Sequence, residues 1–345
     1  MFRQMNASLP PDPEYPADLA GLGYFINDKD QIKAIKNPAQ DFNYWVNKNE
    51  RYNVKQREAM NTCIRKIVLD RLAALHVSAL LLPNGAAPTE PHIPILASED
   101  LSSRKRIVVV FNESAQDLGI WAYRSIGVEG YGGINAGSAV NFVKMIQSQP
   151  SSSTEEGAPG VIIANLGQLL WWRKGKQAVS YSTWDALPRE SAVHESCRID
   201  EVKNRVPGQE NWAQHTAGVF EVIDKLAAKD VKLDIVGLSD GGVEIVKYLT
   251  AHWSEWYSRV VAIAFGNPLH TVQEIKDADF AEFLEKRGRA YIRSAIPAGT
   301  RVPESDSYHG CPAVSSGEVE YSECVMLAAH QEMCAFFLKV AMGKA

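Results

Sequence analysis

Apolar positions change their spacing part-way along the chain. From about residue 106, short continuous apolar runs alternate with segments of helical period. "RIVVVF", "GVIIANL", "KLDIVGL" and "RVVAIAF" lack the in-out alternation of a strand with one wet face. Such runs suit strands buried on both faces of a parallel sheet. Between them lie "AVNFVKMIQ", "NWAQHTAGVFEVIDKLAAK", "GVEIVKYLTAHW" and "TVQEIKDADFAEFLEKR", whose apolar residues recur at helical spacing. A further strand, "AYIRSAI", and a last helix, "AAHQEMCAFFLKV", complete the series. This order predicts a doubly wound, mostly parallel α/β sheet.

The first part of the chain reads differently. "LGYFINDKDQIKAI" predicts two short strands around the polar turn Asn27–Asp30. "VKQREAMNTCIRKIVLDRLAALH" predicts a helix with Met60, Ile64, Ile67, Val68, Leu72 and Leu75 on one face. The stretch from Pro83 to Pro94 reads as a Pro/Ala-rich connector. We therefore divide the chain into an N-terminal extension, residues 1–95, and a core, residues 96–345. Residues 166–207 show no clear period and read as an insert in that core. Trp171, Trp172 and Trp184 stand there among Arg173, Lys174 and Lys176, a composition suited to a protein contact or to stacking of single-stranded bases, or simply to packing a cap.

Composition narrows the function classes. The formal net charge of −5 over 345 residues gives no general grip on nucleic acid or anionic lipid, so direct RNA contact has no support from charge. Five cysteines, odd in number and without a C-x-x-C pair, argue against a disulfide framework or a zinc site. No metal or cofactor is expected. The first residues lack the apolar core of a signal peptide, and no apolar run is expected to span a bilayer. A nuclear or cytoplasmic protein without membrane attachment is the expectation.

Candidate chemistry centres on Gly237-Leu238-Ser239-Asp240-Gly241, the G-x-S-x-G turn that joins a strand to a helix and exposes a nucleophile. The Asp240 backbone N–H at the helix start would be one oxyanion donor, and Asn112, after the "RIVVVF" strand, would flank the second. Chain order places the general base late, which selects His330 over His309 and His270. For the acid, Asp306 lies in a suitable loop. The loop after "VVAIAF" offers only Asn267, which can orient an imidazole without stabilising its cation. A triad of Ser239, His330 and Asp306 would make a serine hydrolase acting on a small ester or amide. One completed by Asn267 would be close to inert.

Several segments in this order resemble one family. "LGYFINDKDQIKAI", "VVVFNESAQDLGIWAYR", "VGLSDGG", "VVAIAFGNPLHTV" and "CPAVSSGEVEYSECVMLAAHQEM" are similar to blocks of the Argonaute-binding protein two family, a domain of fungal heterochromatic silencing. The same domain follows the catalytic domain of class II fungal histone deacetylases and forms an animal co-transcriptional regulator. The resemblance runs from about residue 15 to 340 and implies an α/β-hydrolase-like fold. It also implies that the protein works by binding Argonaute or other silencing and chromatin proteins. Ser239 and His330 match the family's serine and final histidine. Asn112-Glu113 stands where relatives tend to carry His-Gly, Asn267 where an Asp is expected, and Gly299 where an acidic residue is expected. These departures imply a hydrolase scaffold with weak or absent activity.

Overall fold

Six of the helices begin where a polar side chain satisfies a free backbone N–H group. In the computed structural model, which describes residues 8–126, 132–151 and 157–343, Asp18 caps a one-turn helix, α1 (Leu19–Leu22), that Gly23 ends at φ 85. Strands β1 (Tyr24–Ile26) and β2 (Ile32–Ala34) follow as an antiparallel pair. Their turn is held by the Asn27 side chain, which accepts from the backbone N–H groups of Lys29 and Gln31 at 3.0 and 2.8 Å. Asn49 caps α2 (Glu50–Ala73) by accepting from Arg51 N. Met60, Cys63, Ile64, Val68 and Leu72 form the buried stripe of α2.

The main sheet has eight strands in the order β12-β11-β10-β9-β5-β6-β4-β3. Two of them flank the stretch read as a connector, one in residues 77–82, to which the period assigns no element, and one starting at the connector's last two residues. Strands β3 (Val77–Leu82) and β4 (Ile93–Ser98) pair antiparallel at one edge. The period hid them for physical reasons. "VSALLL" extends the apolar rhythm of α2, and only His76, at φ 57, breaks the two apart. Pro94 sits inside β4, where a ladder N–H is missing.

The remaining strands are parallel: β5 (Arg106–Phe111), β6 (Gly160–Ile163), β9 (Lys232–Leu238), β10 (Val260–Gly266), β11 (Gly288–Ile292) and β12 (Ala313–Ser315). Every residue of β5 is buried, as its unbroken Val/Ile run requires. Helices α2, α3 (Ala139–Gln147) and α9 (Val325–Ala341) cover one face of the sheet, and α5 (Trp212–Leu226), α6 (Asp240–Trp256) and α7 (Ala278–Arg287) the other. The architecture is a doubly wound α/β-hydrolase-like sheet with two antiparallel strands at one edge.

Between β6 and α5 lies the stretch without a period. It contains an antiparallel hairpin, β7 (Leu170–Trp172) and β8 (Gln177–Val179), and a short helix, α4 (Tyr181–Ala186). Trp171 is buried against His92, ring centroids 5.0 Å apart, and buried Trp184 donates its Nε1–H to Cys197 O at 2.7 Å. Trp172 is half-buried. These rings pack the hairpin onto the body and do not form an open stacking platform. Arg173, Lys174 and Lys176 remain exposed at the hairpin tip.

Beyond β11, one turn of helix, α8 (Asp306–His309), precedes β12. Ser322–Ala341, a 3₁₀ turn running into α9, is long and apolar enough to cross a membrane by length and composition, contrary to the expectation from the chain. In this fold half of that stretch is buried, with Ala329, Met333, Cys334 and Phe337 packed into the core beneath the sheet.

Candidate functional site

Strand β9 leads directly to Ser239, which takes φ 48 and ψ −117 immediately before α6 begins. A positive φ is uncommon outside glycine and costs on the order of 1–3 kcal/mol. Its neighbours explain why the turn can be so tight. A Cβ on Gly237 would stand 2.6 Å from the Gly242 Cα, and one on Gly241 would stand 2.4 Å from the Phe111 carbonyl oxygen. Strand, turn and helix therefore meet only because both positions are glycine. Ser239 N donates to Gly266 O at 2.9 Å, pinning the turn to β10. The local stereochemistry is that of a nucleophile elbow.

The partner of the hydroxyl is not a base. Asn267 Nδ2 donates to Ser239 Oγ at 3.1 Å. Asn267 is itself strained, at φ 46, and its backbone N–H bonds Tyr291 O at 2.9 Å. Whichever way its amide is turned, it can neither take the Ser239 proton nor stabilise an imidazolium.

The residues expected to complete a triad make their hydrogen bonds to other partners. His330 sits well inside α9, where its Nδ1–H donates to Leu327 O at 2.9 Å, and no hydrogen bond joins it to Ser239. Helix α9 starts too early for the loop placement a general base needs. Val325 and Met326, about one turn before His330, are the residues that reach the space beside Ser239. Asp306 caps a different feature: its Oδ1 accepts from Ala313 N at 2.6 Å, and its other oxygen pairs with Arg301. It ties α8 to β12. His270 and His309 are buried and bond each other's carbonyls, His270 Nε2 to His309 O at 3.1 Å and His309 Nδ1 to His270 O at 3.3 Å. Burial depresses both imidazoles, His270 to about 4.

The side chains of both oxyanion candidates are bonded into the frame. Asn112 is fully buried, its Oδ1 accepting from Leu166 N at 2.9 Å and its Nδ2 donating to Gln116 O at 3.4 Å. It stitches the ends of β5 and β6 together. The Asp240 carboxylate accepts from Ser114 N at 3.0 Å, tying the start of α6 to the loop after β5.

What faces Ser239 is a void of about 10 Å³, walled in part by Trp121, Leu238, Met326, Glu113 and Glu323. That is room for at most one water and none for an ester. The electrostatics oppose an oxyanion as well. Burial, then the charges of Asp240 and Glu323, push the Glu113 carboxyl up to about 7. Glu113 was visible in the chain only as a carboxylate in an awkward place. Glu323 carried no local signal at all, since it reaches the site from the far end of the fold. Among the described residues, no three His, Cys, Asp or Glu side chains are grouped so as to hold a metal ion.

Residues 15–298 match the model of the Arb2 domain. The chain belongs to the Arb2 domain family. Its curated relatives include the cotranscriptional regulator ARB2A homolog of Gallus gallus, 26% identical over 335 residues, 89% of this chain and 77% of the relative. The Homo sapiens cotranscriptional regulator ARB2A is 24% identical over 327 residues, 89% of this chain and 77% of the relative. Among solved structures, a bacterial heroin esterase is 13% identical, with a TM-score of 0.37 over 83% of this chain and 90% of that one. In this Arb2 domain, Asn267, standing where the family resemblance led us to expect Asp, is the residue that meets the elbow serine.

Proposed function

We propose that this Arb2 domain does not hydrolyse. It acts as a protein-binding module of co-transcriptional regulation in the nucleus, on a hydrolase scaffold that has kept its elbow and lost its base. The observation that carries this reading is the Asn267 amide on Ser239 Oγ, where a general base would have to be. The small void and the carboxylates around it support the same reading. Argonaute or other silencing and chromatin proteins are the partner class that the family resemblance implies, and cotranscriptional regulation is the role by which the animal relatives are named.

Losing an oxyanion donor costs about 10²–10³ in rate. Exchanging the acid of a triad for its amide costs about 10⁴. Either loss would leave a modest esterase near background. The test is labelling with a fluorophosphonate probe and turnover of a p-nitrophenyl ester, for wild type and Ser239→Ala, beside co-precipitation of Argonaute by both. Equal inertness with equal partner capture is expected. Rapid labelling and turnover that vanish in Ser239→Ala would establish the second reading, a serine hydrolase, which the retained strain at Ser239 favours.

A further inference from the structure

A cavity of about 480 Å³ lies beside the Ser239 void and shares Gln116 and Glu323 with it. It opens between β2, α2, the loop after β5 and the insert. Ile32, Phe42, Met60, Ile64 and Ile126 supply the apolar part of its lining, which suits the body of a small molecule, and Asn61, Gln116, Ser180 and Ser182 are among its polar part.

The charges around this lining are unequally committed. Arg124 donates to Glu323 at 3.1 Å and lies over the Tyr321 ring, 4.0 Å from its centroid. Behind the wall, Arg65 pairs with Asp117 at 2.7 Å and with Glu58 at 2.6 Å, and Tyr123 donates to Asp117 at 2.6 Å. Asp117 and Glu323 are thus both offset by guanidinium groups. Arg57 differs. It forms no hydrogen bond or ion pair with any described residue, and its guanidinium stands 5.3 Å from the centroid of the Tyr44 ring. The Glu50 carboxylate, bonded to the Tyr44 hydroxyl, feels its charge but lies outside pairing distance.

We infer that this cavity binds a small amphipathic anion, an aliphatic carboxylate whose chain packs on the apolar lining and whose head group meets Arg57. A guanidinium without a hydrogen-bond partner is suited to a carboxylate, because its planar fork donates two parallel hydrogen bonds. The volume admits a chain of roughly ten carbons, within the usual range of small-molecule sites. Each methylene buried should gain roughly fourfold in affinity. Whether Ser239 reacts is immaterial to this site, and so is Argonaute binding.

The experiment is calorimetric titration of the full chain with decanoate below its micelle concentration, with decanol and butyrate beside it. We expect saturable one-to-one binding of decanoate and far weaker binding of butyrate. Arg57→Gln should weaken decanoate roughly tenfold or more while leaving decanol unchanged, and Arg57→Lys should recover part of the loss. Asn61→Trp, which places an indole in the cavity from a half-buried helix position, should abolish both ligands with circular dichroism unchanged. Ser239→Ala should bind as wild type does. No saturable decanoate binding by folded wild-type protein, or binding that neither Arg57→Gln nor Asn61→Trp alters, overturns the inference.

Discussion

Glu113→Gln should make this protein more stable, by an amount that grows as the pH rises from about 4.5 through about 7. In the folded state Glu113 is half-buried beside Ser239, with Asp240 and Glu323 near enough to repel it. Burial first, then those two charges, raise its carboxyl from 4.5 to about 7. A folded pKa above the unfolded one means that the native state holds the proton more tightly. The stability this group contributes is fully present below about pH 4.5 and is lost as the pH rises through about 7. The gap between the two values corresponds to about 3.5 kcal/mol at ~1.4 kcal/mol per pH unit. Water screens a half-buried group, so about 1–3 kcal/mol is the expected range.

Glutamine keeps the shape and cannot ionise, so its advantage over glutamate should follow the same curve with opposite sign. Urea denaturation of both proteins at about pH 4 and about pH 8 provides the comparison. The two should match within about 0.5 kcal/mol at the lower pH, and the variant should lead by about 1–3 kcal/mol at the higher. Burial pushes the Asp234 carboxyl up to about 6 against the pull of Arg106. It therefore tilts the wild-type curve in the same direction, but it is common to both proteins and cancels in the difference. An advantage of equal size at both pH values, or a variant weaker at about pH 8, would refute the reasoning.

Other outcomes follow from the same geometry. Gly241→Ala sets a Cβ 2.4 Å from a backbone oxygen that cannot move without shifting β5, so expression as insoluble protein, or a loss of more than about 3 kcal/mol in thermal unfolding, is expected. Ser239→Gly should hold or raise the melting temperature because glycine accepts φ 48, whereas Ser239→Val should lower it by several degrees. Asp234→Ala leaves the Arg106 charge, paired to it at 2.5 Å, alone in the sheet interior, and denaturant titration should read a loss of about 3–5 kcal/mol.

The features legible in the chain are those set by short-range stereochemistry. The continuous Val/Ile run of β5 and the apolar residues on both faces of β9 can sit only where both faces are covered, so the doubly wound sheet follows from local pattern. The elbow is legible for the same reason, since Gly237 and Gly241 answer to clashes within a few residues of the turn or against the strand beside it. The limits of local pattern show at β3 and β4, where an apolar helix runs on into an edge strand and the next strand carries a proline. What stands opposite Ser239 was decided by tertiary structure alone. Chain order pointed to His330, but a helix that starts at Val325 turns that imidazole onto its own backbone and presents Val325 and Met326 to the void. The amide of Asn267, the raised carboxyl of Glu113 and the approach of Glu323 each join residues from separate loops. Such meetings depend on how whole elements pack, and no spacing along the chain encodes them.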